Sequence, residues 1–344
     1  MRRTLKSITG RRLVIEADGS LCMHRSLQDE VCERLSRDKS QQQTVFDQAV
    51  EIVRGVFPPP NELQQPTPEK WSEFQKLLPH LHVLQGVYRR SNGQIEGSTE
   101  LAQLLLDAGM DQFEQGTPHE ALILLYTAET VLEACSGSSV ECHPAMRSNI
   151  HAMIAIMYDD AGIEKRQEAM HRRQLALRIR QQVFEGSHRR TDEVLLFNSW
   201  MEWAMVLLNY HRFTEAEPVI EKCLNKFQEW EPNEDRIPFE YAKYYNKIAL
   251  VRTYQGEFVE AIRLATRGVE LMLKAGYAVF ASRFKFDLAC ITLQSGDLNE
   301  ALKIHEEIYR QRIEILGPAN QLSLHSMYAI GAICELQGQL SDAR

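Results

Sequence analysis

Seven cysteines and eleven histidines are the residues of this 344-residue chain best suited to metal or nucleophilic chemistry, and their spacing argues against both. Cys135 and Cys142-His143 lie close enough together to suggest a metal, but the gap does not fit a zinc site and further ligands are missing. His80 and His82 are two apart on an expected helix and so point away from each other. Asp159-Asp160 is a dense pair of carboxylates. Neighbours on a helix nevertheless diverge by about 100 degrees, so the two cannot grip one proton jointly, and a polar turn is the simpler reading. The spacings HExxH, GxSxG, GxGxxG and that of a calcium loop are all absent, and no glycine is followed by lysine, which removes the phosphate-cradling loop. The expectation is a protein that is not an enzyme and carries no cofactor and no metal.

Charge narrows the partners. Lys and Arg number 39 against 47 Asp and Glu, a formal charge of −8, whereas coating nucleic acid needs a dominant basic face. No apolar run approaches the roughly 20 residues of a membrane span. Met1 to Arg12 holds five basic residues without a hydrophobic core, which reads as a basic loop leading into a strand in preference to a short transit peptide. The scattered, odd-numbered cysteines read as free thiols. The expectation is therefore a cytoplasmic protein with neither nucleic acid nor membrane as partner. One helix carries Arg166, His171, Arg172, Arg173, Arg178 and Arg180, with His188, Arg189 and Arg190 after it. A solvated face and a dock for an acidic or phosphorylated peptide both fit that run.

The elements that must position these residues repeat. Ala121, Ala169, Ala216, Ala261, Ala301 and Ala343 follow one another at steps of 48, 47, 45, 40 and 42 residues, one helix-turn-helix unit per step. Around them recur a large residue, a pair ending in Ala or Gly four on, a turn glycine and an aromatic or aliphatic residue. Tyr245, Ala249, Gly256, Phe258 and Ala261 make one such unit, and Ala289, Gly296, Leu298 and Ala301 belong to the next. Small residues let the paired helices touch, and the glycine accepts a left-handed backbone. The layout resembles the tetratricopeptide (TPR) pattern. The steps exceed its usual period because the second helices are longer, as in kinesin light chain repeats, for example Glu221 to Trp230 and Lys303 to Leu316. In one unit Gly162 and Ala169 are seven apart, so Ile163 to Gln167 forms a longer turn.

Ahead of the repeats, Arg12 to Glu16 and Leu21 to His24 read as strands joined at Asp18-Gly19, and Leu27 to Leu35 as an amphipathic helix. A helix from Gln43 to Phe57 stops at Pro58-Pro59-Pro60. The stretch through Pro66 and Pro68 is a stiff connector, and Trp71 to Tyr88 a capping helix with Phe74, Leu78, Leu81 and Leu84 on one face. The expected fold is mainly α: a right-handed TPR α-solenoid preceded by a small winged-helix-like remnant with one β-hairpin. The divisions are 1–57 for the remnant, 58–98 for connector and cap, and 99–344 for about six repeats, the last truncated.

Met23-His24-Arg25-Ser26-Leu27-Gln28-Asp29-Glu30-Val31 is similar to the end of the winged-helix segment of fungal STAND (signal-transducing NTPase) proteins, which look like NLR receptors. Phe239 to Tyr245, Arg283 to Ala289 and Leu293 to Leu298 resemble the repeat array of that family. The resemblance implies the sensor or scaffold part of a receptor whose NB-ARC-type nucleotide-binding domain is absent from this chain. The last repeat breaks off at Arg344, which reads as a fragment or truncated gene product. A free-standing kinesin-light-chain-like adaptor, or an accessory part of an NTPase whose catalytic domain lies elsewhere, stay open as alternatives.

In TPR arrays the first helices of the units face a concave groove. Counting each from its small residue gives Asn198, Met201, Glu202 and Asn209, then Lys243, Asn246, Lys247 and Tyr254, then Arg283, Phe286 and Asp287. This mixture suits a protein or peptide ligand. A two-carboxylate clamp for chaperone tails does not fit, since Asp287 would repel a carboxylate. Self-association through the truncated C-terminal repeat is a further expectation.

Overall fold

The computed structural model describes residues 14–17, 20–59, 61–136, 143–161 and 163–338. The basic segment 1–12, the turn at Asp18-Gly19, and Cys142, Gly162 and Ala343 lie outside these residues.

Close approach of small residues builds the repeating unit. Ala121, Ala169, Ala216, Ala261 and Ala301 are each fully buried. At Gly109 an added Cβ would lie 2.9 Å from Leu125 Cγ, so only a residue without a side chain lets these helices meet. The turns are alike in backbone as well. Gly256, at φ +80°, ends one helix with Gly256 N bonded to Thr253 O and Glu257 N to Arg252 O. These are the paired bonds of a left-handed helix stop. In another unit His211, at φ +58°, holds the same place, with His211 N on Leu208 O and Arg212 N on Leu207 O. The turn geometry therefore persists where glycine does not.

The units pair α4 (Thr99–Glu114) with α5 (Pro118–Ser136) and α6 (Pro144–Ala161) with α7 (Arg166–Ser187). They continue as α8 (Arg190–Asn209) with α9 (Phe213–Trp230), α10 (Pro238–Tyr254) with α11 (Phe258–Lys274), and α12 (Ala278–Gln294) with α13 (Leu298–Leu316). Then α14 (Gln321–Leu336) follows. A 3-10 turn at Ile163–Lys165 fills the long turn before α7, and Gly317 caps α13. This is an α-solenoid of helix hairpins. Its core runs from unit to unit, with one apolar cluster from Phe46 to Ala169 and another from Met201 to Ile291.

The solenoid curls until its ends meet. Asn320 Nδ2 donates to Gln115 O at 3.0 Å, the Phe113 and Phe280 rings stand 6.2 Å apart, and the Arg283 guanidinium lies 4.6 Å from the Phe113 ring centre. The first unit thereby closes against α12 and the start of α14.

Before the array, β1 (Val14–Ala17) and β2 (Ser20–Met23) pair antiparallel, with Val14 opposite Met23 and Ala17 opposite Ser20. Helix α1 (Arg25–Ser36) follows, but Met23 is 41% and Val31 42% exposed, and none of the described side chains of α1 is buried. A winged helix needs its helices and wing on one core, so the expected winged-helix-like remnant is not supported. Helix α2 (Lys39–Val56) shares the core of α3 (Trp71–Arg90) and α4. Phe57 meets Phe74 edge-on at 5.1 Å, and Arg54 Nη1 reaches the buried Asp107 at 2.6 Å.

Candidate functional site

The curl encloses a cavity of about 230 Å³ on the inner wall. Helices α4, α6, α7, α8, α10, α11 and α12 contribute to it, and Leu63, Gln64 and Pro66 of the connector segment also line it. One part of the lining is apolar, with Met110, Phe113, Met153, Ile156, Met205 and Phe284. The other is a charged web.

Arg173 is its hub. Its Nη2 lies 2.5 Å from Asp159 Oδ2 and its Nη1 2.9 Å from Glu202 Oε2, while Glu202 Oε1 lies 3.3 Å from Lys243 Nζ. Lys243 also donates to Asn198 Oδ1 at 3.4 Å and stands 4.7 Å from the Phe239 ring centre. Asn246 Nδ2 donates to Asp287 Oδ2 at 2.9 Å. Burial pushes the Glu202 carboxyl up, but Lys247, Lys243 and Arg173 outweigh it and hold the group well below the usual carboxylate range. Burial pulls Lys247 down, Glu202 opposing it. Burial likewise lowers Arg180 to about 10.

Of the residues expected on the groove, Asn198, Glu202, Lys243, Asn246, Lys247, Arg283 and Asp287 line this one cavity. The other four lie elsewhere. Met201 is fully buried between helices, and Phe286 packs edge-on against His305 with ring centres 4.8 Å apart. Each is three residues beyond a wall residue, which turns it about 60° away from that residue's direction. Tyr254 stacks on Phe213 at 3.9 Å, and Asn209 ends α8, its carbonyl 3.4 Å from Arg166 Nη1. Asn209 stands eleven residues beyond Asn198, and Tyr254 eleven beyond Lys243, each roughly 16 Å along the helix.

Two further wall residues come from the basic run of α7. Arg173 and Arg180 are only 5% and 6% exposed, so the basic run of α7 is not simply a solvated face. Their spacing of seven residues, two helical turns, was the available signal. Asp159 is an ion-pair partner of Arg173. Among the described residues no group of acidic, histidine and cysteine side chains could hold a metal ion, and Cys223 and Cys334 are buried free thiols.

The connector is bound to the wall by specific contacts. Gln64 Oε1 accepts from Arg180 Nη2 at 2.7 Å, and Gln65 Nε2 donates to Glu240 Oε1 at 3.1 Å. Glu114 Oε2 accepts from Thr67 N at 2.9 Å and from Trp71 Nε1 at 3.2 Å. Glu114 is 7% exposed, and burial pushes its carboxyl up to about 7 despite these donors.

No family model and no curated protein matches the chain. Among solved structures, a P. anserina kinesin light chain protein with nearly identical TPR-like repeats is 18% identical, covering 59% of this chain and 92% of its own at a TM-score of 0.40. BtubC (BKLC) from P. vanneervenii is 16% identical, covering 72% and 89% at 0.39. Yeast Tom70 is 14% identical, covering 98% and 77% at 0.35. Likeness at this distance assigns neither family nor partner. Among the described residues no helix is long and apolar enough to cross a membrane.

Proposed function

We propose that the chain is a non-enzymatic interaction scaffold or sensor whose inner wall binds a protein or peptide partner in the manner of a TPR array. The observation that carries this reading is the connector itself. Residues 61–67 already lie against the wall as a peptide would, held through Gln64, Gln65 and the Thr67 backbone. A wall mixing both charges, amides and aromatic rings suits recognition better than a purely apolar core would. The finer reading is the repeat portion of a fungal STAND-type receptor acting in the cytoplasm, and it rests on the sequence resemblance. There a partner on the wall would bias the curl of the solenoid and so a neighbouring switch.

The test is to supply the connector in trans. In a variant with residues 61–67 replaced by a Gly-Ser segment of equal length, a fluorescent peptide of those seven residues should bind with sub-millimolar affinity by anisotropy. Unlabelled peptide should compete with it. No saturable binding to a variant that retains its helical circular dichroism would remove the inner wall as a peptide receptor.

A further inference from the structure

Two buried cations on the cavity wall lack a carboxylate bound to them. Arg180 is 6% exposed, yet its acceptors are all neutral: Leu195 O at 3.0 Å, Ser199 Oγ at 2.6 Å, Asn149 Oδ1 at 3.1 Å and Gln64 Oε1 at 2.7 Å. Its Nε is buried with no acceptor among the described residues. Lys247 is 5% exposed and makes no hydrogen bond or salt bridge among them, its charge being met only through space, chiefly by Glu202, which Arg173 and Lys243 already hold. The nearby acids are already engaged, Asp159 and Glu202 by Arg173 and Asp287 by Asn246. Buried guanidinium and ammonium groups ordinarily carry an anionic partner.

Gln64 fills that role poorly. It sits at φ +56°, a left-handed conformation uncommon for a residue with a side chain. Its amide oxygen serves Arg180 while its own Nε2 is buried without an acceptor. A carboxylate has the shape of that amide but offers a second oxygen where the amide has an unsatisfied donor, and it can meet guanidinium as a charged acceptor. The Gln64 amide therefore stands in for a carboxylate that the chain does not itself supply.

We propose that this cavity is a receptor site for a small amphipathic carboxylate, a medium-chain or aryl-alkanoic acid, that takes the place of Gln64 on Arg180, with Lys247 adding positive charge to the same wall. Its apolar body would lie among Met110, Phe113, Met153 and Phe284. With the connector in place, the remaining space suits a small molecule and not a polypeptide. At about 230 Å³ it lies below the roughly 300–1,000 Å³ of drug-sized sites, and Leu63, Gln64 and Pro66 of the connector take part of its lining. Entry of the acid displaces Gln64, so ligand binding and connector position are linked.

Titration calorimetry of the full chain with sodium octanoate, and with 1-octanol as its uncharged twin, tests this. Octanoate should bind about ten-fold or more tightly than octanol. Arg180→Met should weaken octanoate by about ten-fold or more and Lys247→Gln by several-fold, and Gln64→Ala should tighten it several-fold by removing the competitor. If Arg180→Met fails to fold, Lys247→Gln and Gln64→Ala decide. Octanol binding as tightly as octanoate, or octanoate affinity unmoved in both those variants, would overturn the proposal. A peptide with a free C-terminal carboxylate binding where octanoate does not would also overturn it, while leaving the peptide reading of the wall in place.

Discussion

Arg173→Met should destabilise the protein by about 3–5 kcal/mol, the cost typical of removing one partner from a buried ion cluster. The guanidinium is 5% exposed and touches both Asp159 and Glu202. Without it Asp159 and Glu202, from neighbouring units, lose their shared guanidinium on a poorly hydrated wall, while Glu202 keeps Lys243. A like-sized apolar side chain fills the space but not the charge. Urea denaturation at neutral pH measures the loss, and a change under about 1 kcal/mol would mean that Arg173 does not join the second unit to the third. The double replacement Arg173→Met with Asp159→Leu should recover part of the loss, because it removes a carboxylate together with its guanidinium and leaves Glu202 with Lys243.

Glu114→Gln should flatten the dependence of stability on pH. The carboxyl moves from an ordinary 4.5 to about 7 on folding because burial disfavours its charged form. Between those values the folded chain binds more protons than the unfolded one. The contribution of neutral Glu114 is thus complete below about pH 4.5 and is lost as pH rises through 7, about 3 kcal/mol in all. Relative to the wild type, the glutamine variant should gain stability steadily from pH 5 to 8. Asp111, one turn earlier on α4, is raised to about 6 by the same cause, so both proteins keep part of the slope. A stability difference constant from pH 5 to 8 would contradict a buried, proton-binding Glu114.

The alanine ladder made the repeat legible because close helix contact tolerates only small side chains. Five of its rungs, Ala121 to Ala301, prove fully buried. The register on first helices brought out pairs four apart, such as Asn198 with Glu202 and Arg283 with Asp287, since such pairs share a helix face. It misplaced Met201 and Phe286 by rotation, and Asn209 and Tyr254 by distance along the helix. What the sequence concealed was tertiary. The Pro-rich stretch signals an extended chain but not the wall that receives it. Nothing local joins Asn320 to Gln115, 205 residues apart, yet that closure makes a cavity of what would otherwise be an open groove. The N-terminal hairpin and α1 show the converse error, in which a local pattern suggested a winged helix although none of the described side chains of α1 is buried.

The inner wall as binding surface is tested most directly by photo-cross-linking in cells that express the protein. Benzoylphenylalanine in place of Phe284 lies on the wall, and in place of Val259, 88% exposed, it lies outside the cavity. The account predicts a discrete partner adduct from position 284 that is absent at 259. An adduct at 259 with none at 284 would contradict it.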